Sequence, residues 1–167
     1  MEGKRTGFAV AFIVIALSVN AQSAFDKKLQ SLYRNSVPRI TPIELQGLLK
    51  GNKKILLLDT RKPEEYNVSH LPGAVLINYN TYTVRAFDRF DRKAKVIVYC
   101  TVGYRSERVG EKLLKLGFTD VHNLYGGIME WKNEGFSTLN RNNKPTDSVH
   151  GYNKNWSRWL LKGIKVY

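Results

Sequence analysis

The chain has 167 residues, 43% of them hydrophobic and 11% aromatic, with 27 Lys and Arg against 14 Asp and Glu, a net charge of 27 − 14 = +13. Such a composition suits one globular domain with its own core, at roughly 150 residues per domain, and excludes a collagen, a coiled coil, a disordered chain and a polytopic membrane protein. The single cysteine, Cys100, excludes an intrachain disulfide and is either a small buried apolar group or a reactive thiol.

In chain order, residues 1–21 open with Lys4 and Arg5, continue through the apolar run Phe8 to Val19 and end at the small residue Ala21, the anatomy of a secretory signal peptide. The run, about 12 residues, falls short of the roughly 20 needed to span a bilayer, so cleavage after Ala21 is expected, with no stable membrane span afterwards. Cleavage removes Glu2, Lys4 and Arg5 and leaves 167 − 21 = 146 residues that keep about +12. The expected localisation is exported, periplasmic or secreted, where an unpaired thiol calls for a chemical reason.

Residues 22–37 read as a helical lead-in, with Leu29, Leu32 and Tyr33 on one face of a helix over Asp26 to Asn35. Residues 38–137 read as the main domain. Thr41-Pro42-Ile43-Glu44 has the pattern of a capping box with proline at the first helical position, opening a helix to about Lys50 that Gly51-Asn52 stops. Ile55 to Leu58 and Val96 to Tyr99 are continuous apolar runs, as expected of strands covered on both faces, and Ala74 to Ile77 reads as a third buried strand. Helices are expected over Pro63 to Val68, over Ser106 to Leu116 with Val109, Leu113 and Leu116 on one face, and over Gly127 to Glu134, where Trp131 reads as core. A short strand is expected at Val121 to Leu124. Alternating strands and helices imply an α/β fold with a mainly parallel sheet and helices on both faces. Residues 138–167 form a basic, aromatic extension, six basic residues from Arg141 onward against Asp147, or 6 − 1 = +5. There Trp156, Trp159, Leu160, Ile164 and Tyr167 recur at spacings of three and four, the pattern of an amphipathic helix docked on the domain, the favoured reading, or offered to a membrane or a partner.

The chemistry concentrates where a buried strand ends. Cys100 follows Val96 to Tyr99 directly, and ligands of open α/β sheets bind beyond the carboxyl ends of strands. A tight loop, Thr101-Val102-Gly103-Tyr104-Arg105, leads from Cys100 into a helix, an arrangement that aims backbone N–H groups at one atom and lowers a thiol pKa. Gly103 permits the positive φ such a loop needs. Asp59, at the end of a buried strand, is placed to brace a neighbouring loop, and Arg61 to pair with it or with Glu64. His70 precedes Leu71-Pro72-Gly73 and is expected to fix a turn through a ring hydrogen bond. No metal site is expected, since His122 and His150 lack partners at metal-binding spacing.

Four ordered motifs resemble those of the rhodanese-like sulfurtransferases: Leu57 to Tyr66, reading Leu-Leu-Asp-Thr-Arg-Lys-Pro-Glu-Glu-Tyr; His70-Leu71-Pro72-Gly73-Ala74; Cys100 to Ser106; and Leu124-Tyr125-Gly126-Gly127 through Trp131. The resemblance, over about Thr41 to Gly135, implies a rhodanese-like fold and sulfur transfer through a persulfide on Cys100, with a small anionic donor such as thiosulfate and a thiol or cyanide acceptor. It implies Cys100 as nucleophile; Thr101, Val102, Gly103, Tyr104 and Arg105 as substrate-binding residues, with Arg105 holding the anionic donor; Asp59, Arg61, His70 and Ser106 as structural support; and no cofactor. Four residues separate Cys100 from Arg105, one fewer than in the related cell-division-type phosphatases, which favours sulfur over phosphate chemistry. The alternative is a rhodanese-fold interaction or sulfur-relay module with little small-molecule turnover, meeting a protein partner through the tail. Nucleic-acid binding driven by the net charge is not expected, since no recognised binding motif accompanies it.

Overall fold

The computed structural model describes residues 24–51 and 54–167; the segment read as a signal peptide, residues 1–21, lies outside the described residues. The chain divides after Leu32 into two compact units. In the first, helix α1 spans residues 24–30 and ends in a turn, with the Leu32 N–H donating to the Leu29 carbonyl at 2.9 Å. The helix expected over Asp26 to Asn35 therefore starts earlier and stops before Leu32 and Tyr33.

The second unit, Tyr33–Tyr167, is built on a five-stranded parallel sheet flanked by helices. Its strands are β1 (Arg39–Ile40), β2 (Ile55–Asp59), β3 (Val75–Leu76), β4 (Lys95–Tyr99) and β5 (Asp120–Leu124), in the order β1-β5-β4-β2-β3. The middle position of β4 explains its unbroken apolar run: Val96, Ile97, Val98 and Tyr99 are all fully buried. β3 departs from expectation, being a two-residue edge strand only half-buried. β1, two residues long, is too short to carry a sequence pattern.

Helix α2 (Pro42–Lys50) has the expected capping box: the Thr41 side chain accepts the Glu44 N–H at 3.3 Å, and the Glu44 carboxylate accepts the Thr41 N–H at 2.8 Å. Helices α3 (Pro63–Val68), α4 (Tyr104–Lys115) and α5 (Gly127–Asn133) stand where their patterns place them, α4 beginning two residues early. α4 lies against β4 and β5 and buries Val109 and Leu113 in a core with Val37, Leu58, Val98 and Phe118. Gly110 allows that approach, since a Cβ there would sit 3.0 Å from a Val37 methyl.

The segment after residue 137 overturns the amphipathic-helix expectation. It forms a hairpin, β6 (Thr138–Leu139) with β7 (Pro145–Thr146), then β8 (Ser148–His150), a four-residue helix α6 (Lys154–Ser157), and β9 (Ile164–Val166) paired parallel with β8. Gly163, at φ 98, breaks the helical path, and the β-branched Ile164 and Val166 pair as a strand instead. Val149 and Leu160 are buried, whereas Ile164 and Tyr167 are exposed. Polar contacts join the segment to the sheet domain: Leu139 and His70 exchange backbone hydrogen bonds of 2.8 Å, Lys132 pairs with Asp147 at 2.6 Å, and the Asn133 side chain accepts the Leu161 N–H at 2.7 Å. No described helix is long and apolar enough to cross a membrane.

If residues 138–167 belong to the cooperative core of the second unit, Leu160→Ala will lower its stability by about 2–5 kcal/mol in urea unfolding, the usual cost of emptying a buried leucine site. A loss below about 0.5 kcal/mol, the scale of an exposed change, would show the segment to be a separable appendage.

Candidate active site

Cys100 leaves the end of β4 fully buried, 1% exposed, and its Sγ accepts the Gly103 N–H at 3.2 Å. Gly103 sits at φ 93 as the residue before α4, and a Cβ there would run into the Tyr33 hydroxyl, so glycine is required on both counts.

The loop is held from behind by its carbonyls. That of Cys100 accepts the Ile128 N–H at 2.9 Å, that of Thr101 the Met129 N–H at 3.2 Å, that of Val102 the Tyr33 hydroxyl at 2.6 Å, and that of Gly103 the Asn123 side-chain amide at 2.9 Å. A trans peptide points its N–H opposite to its C=O. Fixing the Val102 carbonyl on Tyr33 therefore turns the Gly103 N–H, which shares its peptide, toward the Cys100 sulfur. Gly126 and Gly127, both at positive φ, make this approach possible: a Cβ on Gly127 would lie 2.3 Å from the Cys100 carbonyl oxygen. Tyr33 also accepts the Gly126 N–H at 3.0 Å, tying the two loops together, and burial raises its phenol pKa.

The expected binding residues divide. Thr101, Val102 and Gly103 form the loop itself. Tyr104 begins α4 half-exposed, with its ring against Arg108, 5.0 Å from the guanidinium carbon. Arg105 departs from the expected free anion-binding fork. It forms a two-point pair with Glu65, at 2.8 and 2.7 Å, and donates to the Thr101 hydroxyl at 2.9 Å, while that hydroxyl donates to Glu65 at 3.0 Å. The reason is the capped start of α3, where the Glu65 carboxylate also accepts the Lys62 N–H at 3.0 Å. Burial pushes the Glu65 pKa up, but the hydrogen bonds and charge of Arg105, the Lys62 amide and Arg61 outweigh it and hold it at about 2. Burial works against the Arg105 charge as well, and Glu65 and Cys100 more than restore it.

Asp59, Arg61, His70 and Ser106, the residues expected to give support, are all buried. Asp59 and Arg61, both fully buried, pair through three contacts of 2.6 to 3.1 Å, and Asp59 also accepts the Arg61 N–H. Of the two partners open to Arg61, it takes Asp59 and not Glu64. His70 stacks on Tyr66 at 3.9 Å between centroids, with its ring nitrogens 3.1 Å from the Tyr66 carbonyl and 3.3 Å from the Asn143 side chain. Ser106 donates to Asn123 at 2.7 Å and so holds the residue that anchors the Gly103 carbonyl. Sequence reasoning missed Tyr33, Glu65 and Asn123. The capping position of Glu65 was a usable signal, whereas Tyr33 and Asn123 carried none beyond their element patterns.

The depressed Glu65 pKa adds stability that is fully present above the unfolded carboxyl value of 4.5 and is lost as pH falls through the folded value of about 2. In urea unfolding at stepped pH, the wild type will lose on the order of 3 kcal/mol from this group over that window, and Glu65→Gln will lack this component. Parallel curves would show that Glu65 is not the titrating group. Tyr33→Phe keeps the ring but leaves the Val102 carbonyl and the Gly126 N–H without a partner; a loss of about 1–3 kcal/mol is expected, and an unchanged urea midpoint would remove Tyr33 from the loop's support.

Residues 41–134 match the rhodanese-like domain family. The chain is 34% identical over 102 residues to a tRNA uridine(34) hydroxylase of Picosynechococcus, covering 57% of this chain and 33% of that protein. It is 25% identical over 104 residues to the adenylyltransferase and sulfurtransferase UBA4 of Candida albicans, covering 58% and 24%. The matched part thus spans a quarter to a third of these relatives. A rhodanese-like domain protein of Staphylococcus aureus superposes with a TM-score of 0.52 at 31% identity, covering 56% of this chain and 90% of that structure. With the motif residues gathered around one buried thiol, and the match extending over more than half of its length, the chain belongs to the rhodanese-like domain family.

Proposed function

We propose that the protein is a sulfurtransferase that carries a sulfane sulfur as a persulfide on Cys100. The observation that carries this reading is the Gly103 N–H on Cys100 Sγ within a loop whose carbonyls are all tied away from the sulfur. Donors fixed in advance around a sulfur stabilise negative charge on it without reorganising during the reaction. With thiosulfate as donor, the Cys100 thiolate attacks the outer sulfur, an S–S bond forms to Cys100, the sulfur–sulfur bond of the donor breaks, and sulfite leaves with the electron pair. A thiol or cyanide acceptor then attacks the outer sulfur of the persulfide and releases the Cys100 thiolate, a double displacement. A relative named for sulfurtransferase activity supports the reaction class.

One observation favours the second reading, a sulfur-relay module with low turnover on small donors: Arg105 is already paired with Glu65, so a small anion meets a neutralised cation. Under either reading Cys100 bears the sulfur. The export read from residues 1–21 belongs to this proposal too; it places the protein in the periplasm or outside the cell and rests on the sequence pattern alone.

Incubation with thiosulfate, or with a persulfidated donor protein, will add one sulfur to the intact chain by mass, and cyanide will remove it as thiocyanate. Cys100→Ser will abolish both. Thiocyanate production that persists at the wild-type rate in Cys100→Ser rejects the mechanism. A mass increase from the protein donor alone, without thiosulfate turnover, selects the relay reading.

A further inference from the structure

An aromatic ring from outside the family match meets the site's arginine. Beyond residue 134 the chain folds back so that β8 packs on α3, the helix that carries Glu65, and the turn after β8 sets Tyr152 over Arg105. The Arg105 guanidinium carbon is 5.3 Å from the centre of the Tyr152 ring, within cation–π range. Two features set this tyrosine apart. Its backbone lies at φ 68, a left-handed conformation that suits glycine or asparagine and is unfavourable for a bulky residue. It also remains 50% exposed, so core packing does not account for its placement. An unfavourable backbone kept at an exposed residue whose ring meets the site's arginine points to a role at the site.

The consequence falls on Arg105. Glu65 and Thr101 take three of its N–H bonds along one edge, Tyr152 lies over its face, and its side chain is only 14% exposed. Glu65 stays ionised across the physiological range, so the pair is neutral overall. A multiply charged oxyanion such as thiosulfate gains most from a free arginine fork, whereas a singly charged donor with an organic group needs only the loop amides for its sulfur and an apolar surface for the rest.

We propose that Tyr152 is a specificity-determining residue of the Cys100 site, closing Arg105 to multiply charged oxyanions and selecting as donor a singly charged organic persulfide, R–S–S⁻, whose R group lies against the tyrosine ring. This rests on the sulfur-transfer reading above. In the step itself the Cys100 thiolate bonds to the outer sulfur, the bond between the two donor sulfurs breaks, and its electron pair leaves on R–S⁻; no oxidant or reductant is consumed.

The test uses the full chain with Tyr152→Gly and Tyr152→Asn, which remove the ring at a backbone those residues tolerate, and Tyr152→Phe, which keeps it. Cys100 is alkylated with iodoacetate and with iodoacetamide, reagents of similar size that differ in charge. The ratio of iodoacetate to iodoacetamide rates is expected to rise about two- to fivefold in the Gly and Asn variants, the scale of an exposed cation–π contact, and to stay at the wild-type value in Tyr152→Phe. Sulfur loading of Cys100 is followed by mass with thiosulfate and with benzyl persulfide. The wild type is expected to prefer benzyl persulfide, and the ring-free variants to lose that preference through a lower thiosulfate KM at little-changed kcat. Thermal midpoints of the ring-free variants at or above wild type accompany these shifts, which a merely structural tyrosine would not produce. Unshifted alkylation and donor ratios in a stable Tyr152→Gly overturn the proposal while leaving sulfur transfer in place. A shifted alkylation ratio with no sulfur loaded from either donor instead overturns the sulfur-transfer reading and, with it, the donor assignment.

Discussion

The anchoring of four successive carbonyls, from Cys100 to Gly103, is the constraint on which the site depends. A short loop between a strand and a helix has many accessible conformations, and few of them leave its amides facing a single sulfur. Here the N-terminal amides of α5, the Tyr33 hydroxyl and the Asn123 amide each take one carbonyl, which fixes the loop so that the Gly103 N–H donates to the Cys100 sulfur. The tertiary structure also explains the glycine at the first position of α5: a side chain on Gly127 would run into the Cys100 carbonyl.

Charge is handled by pairing close to the thiol. Asp59 and Arg61 form a buried ion pair beside β4, with Arg61 5.7 Å from the centre of the Tyr99 ring. A pair this deep contributes little net stability, because desolvation offsets most of the attraction, but it gives a rigid support whose geometry is set by several bonds at once. Glu65 and Arg105 repeat the arrangement at the mouth of the site. The basic character of the whole chain therefore does not reach the sulfur as a free cation through Arg105. Near the thiol, electrostatics are local and consist of the Gly103 amide and a matched pair, whereas the long-range field of the surface acts on encounter.

Much of the fold was legible because its signals are local. The capping box of α2, the proline start of α3 and the apolar run of β4 each depend on residues within a few positions of one another, and each stands in the structure where the pattern put it. The tail misled for the same reason. Spacings of three and four among Trp156, Trp159, Leu160, Ile164 and Tyr167 are compatible with a helix, but Gly163 and the partner strand β8 prevail over periodicity when a segment is short.

The residues of the chain alone were enough to single out Cys100 and its loop as the candidate site, since a thiol at a strand end, a glycine and a following helix are chain neighbours. They were not enough to show what holds the loop. Tyr33 meets Val102 across 69 positions, Arg105 meets Glu65 across 40, and Tyr152 reaches Arg105 from a segment outside the family match. Hydrogen bonds and ring contacts act over a few ångströms, so partners this distant along the chain are assigned by the packing of the folded sheet and its helices, and it is that packing which turns an expected anion-binding arginine into a covered and paired one.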